Sequence, residues 1–240
     1  MSMIDFLPAI ADKVIPRPMY SEQYLPDLCG CASFWNDLYE SLKRLDFVYP
    51  TQGTAERIDP YTGYYGLRWH PVKKQSGYFH AGIDVNVMAN SGVMATYDGV
   101  FEYSGYSPVN GFYMLLSHPM IRTEDGWTLN SLYMHLSQYL IRFSWVEKIF
   151  RLLSGNTYPK KVVYRNTLLG LSGDTGIARG YPHLHFQLEF RKEGKSVVIN
   201  PCSVLGISTR ENLTAGFRTE DAFNKLVEQN NELSFWKKDK

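Results

Sequence analysis

The sequence predicts a mainly β protein: a compact antiparallel β-sheet domain with peripheral N- and C-terminal helices. Three observations predict it. Gly recurs at 63, 66, 77, 82, 92, 99, 105, 111 and 126, between short runs of Val, Tyr, Phe and Leu, as turns recur between strands. The chain carries 17 Tyr and 13 Phe among 240 residues, which suits pleated, half-buried surfaces. Residues 181–190 (YPHLHFQLEF) alternate polar and apolar side chains strictly.

Three segments follow from the pattern. Residues 1–55 read as a helical and loop segment. Prolines 8, 16, 18 and 26 break its first part, and Ser33 to Leu45 places Phe34, Trp35, Leu38, Leu42 and Leu45 near one helical stripe, with Ser33 as the cap. Residues 56–206 read as the β domain. A helical insertion near 138–161 interrupts it, because Leu140, Phe143, Val146, Ile149, Phe150 and Leu153 have helical spacing and Gly155 is a natural stop. Residues 207–240 read as a C-terminal extension, with a helix over Thr219–Trp236 capped by Thr219 and carrying Glu220 and Asp221 in its first turn.

Composition excludes several classes. A formal net charge of +1 gives no field suited to nucleic acid or a membrane surface. No apolar run reaches the ~18 residues that a membrane span needs. Asp5, Pro8, Asp12 and Lys13 interrupt the first apolar residues, so the start of the chain does not read as a secretory leader. Cys29, Cys31 and Cys202 make neither a disulfide framework nor a Cys-x-x-Cys metal site, and are expected to be structural or free thiols.

The chemistry resides in histidines. On the strand at 181–190, Leu184, Phe186, Leu188 and Phe190 share one face, and His183, His185, Gln187 and Glu189 the other. His183 and His185 therefore project together and can serve one site. In FHAGIDV (79–85), His80 and Asp84 offer nitrogen and oxygen to a metal, and Gly82 permits a tight backbone between them. In SLYMHLS (131–137), His135 ends an apolar run. Each element alone reads as easily as ordinary structure. Together they supply the three ligands and open position of a catalytic zinc site, plus two further histidines to handle water and oxyanion. The alternation does not say whether His183 or His185 would touch the metal.

This ordered set resembles the lysostaphin/LytM-type peptidoglycan zinc metallo-endopeptidase family, over roughly residues 61–206. GYYGLRWHP (63–71), SGVMATYDGVFEYSG (91–105), LLGLSGDTG (168–176) and VINPCSVLG (198–206) are similar to its lead-in, hairpin, glycine turn and closing Asn-Pro segment. The resemblance implies one Zn²⁺ held by His80, Asp84 and His185, with His135 and His183 as catalytic histidines that do not bind it. It implies an endopeptidase that hydrolyses amide bonds in the peptide stems or cross-links of bacterial peptidoglycan. Such an enzyme acts at the cell wall, in the periplasm or outside the cell, so an export system or a regulatory partner is implied. The same fold also serves as a non-catalytic module that regulates another wall hydrolase. A latent enzyme is a third form, in which residues 1–55 and the 138–161 insertion cover the groove and Asp27, Asn36 or Asp37 reaches the metal.

The sequence departs from the family pattern in the long stretch between His135 and Gly170 and in Pro119 after His118. His70 and His118 read as surface-loop or supporting residues, and Glu189 as structural.

Overall fold

The computed structural model describes residues 39–52, 58, 63–70, 75–122, 126–144, 146, 147, 149, 161–193 and 195–207. Its strands, in chain order, are β1 (Gly66–His70), β2 (Gln75–His80), β3 (Ile83–Val85), β4 (Gly92–Met94), β5 (Gly99–Ser107), β6 (Gly111–Arg122), β7 (Thr128–Tyr139), β8 (Lys161–Val163), β9 (Leu168–Ser172), β10 (Leu184–Lys192) and β11 (Lys195–Ile199). All their pairings are antiparallel. β1 and β2 form a separate hairpin, and the other nine strands form one sheet with the path β11-β10-β7-β6-β5-β8. The mainly β, antiparallel class expected from the sequence is the class observed.

The alternation at 184–190 sets the two faces. Leu184, Phe186, Leu188 and Phe190 are fully buried, in one cluster with Leu129, Tyr133, Leu116, Phe101 and Ile83. The opposite face of β10 is also covered: His185, Gln187 and Glu189 are buried, and Gln187 and Arg191 both bond the Glu189 carboxylate. Burying each apolar side chain of the first set stabilises the fold by roughly 1.5–3 kcal/mol.

Residues 39–52 belong to the same core. Residues 39–43 are helical, Leu42 is fully buried, and the Tyr39 hydroxyl accepts the Asn200 N–H at 2.8 Å. The Pro50 carbonyl accepts the Met94 N–H at 2.8 Å, and Thr51 bridges to Val93. The expected helix over Thr219–Trp236 and residues 33–38 lie outside the described residues.

The expected helical insertion begins later than its apolar spacing suggests. Gln138 and Tyr139 still pair with Leu171 and Gly170, so β7 consumes the first residues of the pattern. Helical geometry appears at 146, 147 and 149. A reciprocal cap precedes it: Ser144 N–H donates to Glu147 Oε2 at 2.6 Å, and Glu147 N–H to Ser144 Oγ at 3.2 Å. Of its apolar stripe, Phe143 is buried against Phe101, whereas Leu140, Val146 and Ile149 are exposed.

A short helix, Pro201–Leu205, closes the domain. Asn200 caps it, with Oδ1 accepting the Cys202 N–H at 3.0 Å, and Gly206 ends it at φ 68°. Cys202 is a buried free thiol that burial pushes up to about 12. Cys29 and Cys31 lie outside the described residues.

Candidate metal centre

Strand pairing brings the two expected carboxylate and imidazole partners opposite one another. Asp84 on β3 is in register with His185 on β10, and Met134 on β7 flanks His185 on its other side. His80 ends β2, two residues before Gly82. A Cβ on Gly82 would collide with the Phe186 carbonyl and stand 2.8 Å from His185 Nε2, so only glycine lets the 80–84 turn lie this close to β10.

The donor atoms converge. Asp84 Oδ1 lies 2.8 Å from His185 Nδ1 and 3.2 Å from His80 Nε2, and those two nitrogens are 2.9 Å apart. Ligand atoms bonded at ~2.1 Å to one tetrahedral metal stand about 3.4 Å apart, so a small outward movement would admit an ion. Two imidazole nitrogens and a carboxylate oxygen are donors of the type that holds a divalent transition metal. Among the described residues, His80, Asp84 and His185 form the one such group.

Backbone carbonyls set the ring tautomers. His80 Nδ1–H donates to the Tyr64 carbonyl at 2.8 Å, which turns the lone pair of Nε2 toward Asp84 and His185. His135 Nδ1–H donates to Thr175 O at 2.8 Å, and His183 Nδ1–H to Tyr181 O at 2.8 Å. The ring of His135 lies 4.8 Å from that of His183 and 6.2 Å from that of His185, centroid to centroid. His183 Nε2 is 3.7 Å from Asp84 Oδ1. All five expected residues therefore share one locus.

Charge follows the packing. Burial raises the Asp84 carboxyl, but its electrostatic and hydrogen-bond interactions with His80 and His185 outweigh it and hold the group well below the ordinary carboxylate range. Burial, then repulsion from His185 and His183, pushes the His135 imidazole down to about 3.

Of the two places read for His118, surface loop or supporting residue, the structure gives the second. His118 is fully buried on β6, donating from Nδ1 to the Asp98 carbonyl at 2.9 Å, with Nε2 2.9 Å from Ser131 Oγ. Pro119 is tolerated because the β6–β7 register is irregular between His118 and Arg122, where no ladder N–H is required. The backbone of His70 lies in β1. Glu189 bonds Gln187 and Arg191, as a structural carboxylate does. Sequence reasoning missed the role of Thr175; it sits inside the glycine turn LSGDTG, whose partners are distant in the chain.

Asp27, Asn36 and Asp37 lie outside the described residues. No helix among the described residues is long and apolar enough to cross a membrane.

Residues 78–201 match the model of peptidase family M23. No curated protein matches the chain. Similar solved structures include the catalytic domain of the antimicrobial peptidase lysostaphin from Staphylococcus simulans, at 23% identity over 65% of this chain and 99% of that one, with a TM-score of 0.43. The antimicrobial peptidase lysostaphin itself is 21% identical over 73% of this chain and 57% of that one (TM-score 0.45). A zinc containing peptidase from Vibrio cholerae is 21% identical over 62% of this chain (TM-score 0.42), and the match spans 39% of its length.

Proposed function

The chain belongs to peptidase family M23, and from that premise we propose that it is a zinc-dependent endopeptidase acting on amide bonds in the peptide stems or cross-links of bacterial peptidoglycan. His80, Asp84 and His185 would hold one Zn²⁺, and His135 and His183 would carry out proton transfer. One observation supports this reading most: three donor atoms converge within 3.2 Å while two further imidazoles, each pinned at Nδ1, border them. The substrate class rests on family membership.

Bound zinc supplies a Lewis acid that polarises a carbonyl and makes water more acidic. The protein's own groups do the rest. With Nδ1–H committed to Thr175 and Tyr181, His135 and His183 each present the lone pair of Nε2. One accepts a proton from the attacking water and passes it to the departing amine; the other, protonated at Nε2 from solvent, donates a hydrogen bond to the developing oxyanion. Asp84 stays anionic in its buried setting, so the ligand set keeps its negative charge. His-Glu-x-x-His is absent from the sequence, so imidazole takes the part that a helix-borne carboxylate plays in other zinc proteases.

Digestion of sacculi from several bacterial types, with mass spectrometry of the released fragments, tests the reading. Cleaved peptide bonds, lost on chelation and restored by zinc, are expected. Intact sacculi would overturn it, and intact sacculi with stimulation of another wall hydrolase would establish the regulatory module instead.

A further inference from the structure

His135 occupies a place that the β7 pattern does not provide. Leu129 and Tyr133 face the core, and so does Leu136, one position out of step. The β6–β7 register records the step: Phe112 pairs with Leu136 and Met114 with Tyr133, so one residue on β6 stands against two on β7. Within that bulge His135 has φ 61°, the left-handed region that non-glycine residues rarely occupy. A regular strand would turn residue 135 into the core, whereas the bulge turns it toward His183 and His185.

Something must hold this conformation open. Phe112 and Leu136 are register partners, yet a hydroxyl stands between them: Phe112 N–H donates to Thr175 Oγ1 at 2.9 Å, and Thr175 Oγ1 donates to the Leu136 carbonyl at 2.8 Å. The same residue's carbonyl accepts from His135 Nδ1 at 2.8 Å. Thr175 occupies the N-cap position of the 3₁₀ turn Gly176–Ala178, but its side chain makes no cap there, because the hydroxyl is used across the sheet. Gly111 and Gly176, at φ 62° and 73°, let the two turns interlock, since a Cβ on Gly111 would collide with Thr175.

We propose that Thr175 is the positioning residue for His135: its hydroxyl closes the strand bond that the bulge opens, and its carbonyl fixes the imidazole with Nε2 toward the site. The inference rests on His135 being a catalytic histidine, as read above.

Thr175→Val keeps the shape and removes the relay, leaving the Phe112 N–H and the Leu136 carbonyl apart. The assay follows the smallest soluble fragment cleaved in the sacculus digests, with Thr175→Val, Thr175→Ser, Gly111→Ala and His135→Ala made in parallel. Thr175→Val should lose about a hundredfold in kcat, as a displaced catalytic group does, with KM and zinc content unchanged. Thr175→Ser should stay within about threefold of the wild type, since it keeps the hydroxyl. Gly111→Ala reaches Thr175 from the other side and should show the same kcat-only loss, which preserves the test if Thr175→Val does not fold. Wild-type kcat in a folded Thr175→Val or Gly111→Ala, or a loss matched by loss of zinc, would overturn the proposal. If His135→Ala is itself fully active, the catalytic reading fails; if it is inactive while Thr175→Val is normal, only the positioning role fails.

Discussion

Asp84 and His185 face each other across the β3–β10 pair, and the carboxylate oxygen lies 2.8 Å from His185 Nδ1. Residues 101 positions apart in the chain thus meet through strand register, not through loop closure. A slip of one residue would send His185 to the core face and Phe186 to the site. The pair is therefore as stable as the hydrophobic alternation that sets the register.

Gly82→Ala should break this arrangement without touching a donor atom. The new Cβ would meet the Phe186 carbonyl and stand 2.8 Å from His185 Nε2. Overpacking of this kind costs about 1–3 kcal/mol. Denaturant unfolding should show that loss, and zinc titration a weaker affinity; unchanged values in both would mean that β3 has room the geometry denies it.

His118 predicts an acid limb of stability. Burial lowers its pKa from 6.5 to about 4, so between those values the unfolded chain binds a proton that the folded chain does not. Stability from this group is complete above pH 6.5 and is lost as pH falls through 4. The slope is at most about 1.4 kcal/mol per pH unit, and the total about 3 kcal/mol. His118→Gln should flatten the dependence of unfolding free energy on pH in that window, and identical slopes for the two proteins would contradict the assignment.

Leu42 tests whether residues before the β domain belong to its core. It is fully buried against the main cluster. Leu42→Ala should cost about 2–5 kcal/mol, measured by reversible unfolding. A loss below ~0.5 kcal/mol, as at a surface position, would show that the segment is dispensable.

His135→Ala and His183→Ala should each fold and keep zinc while activity on sacculi falls by about 10²–10⁴-fold, the range for loss of a general acid or base. Near wild-type activity in either variant would remove that histidine from proton transfer.

The sheet and most of the site are legible in the residues because their determinants are local. Strict alternation at 184–190 yields a core face and a site face, and Gly82 between His80 and Asp84 signals a close approach. Where the determinant is distant, the reading stops. The β7 pattern gives no sign that His135 adopts φ 61°, because that bulge is held by Thr175, 40 residues on. Pro119 suggests a loop at His118, but an irregular strand register absorbs it. Leu140 begins a helical spacing that β7 has already overrun to Tyr139, since β9 supplies the pairing.

The division of the five residues into ligands and proton carriers is tested most directly by elemental analysis of wild type, His185→Ala and His183→Ala purified side by side. One zinc per chain is expected in the wild type and in His183→Ala, and close to none in His185→Ala. Stoichiometric zinc in His185→Ala, or its loss in His183→Ala, would contradict that division.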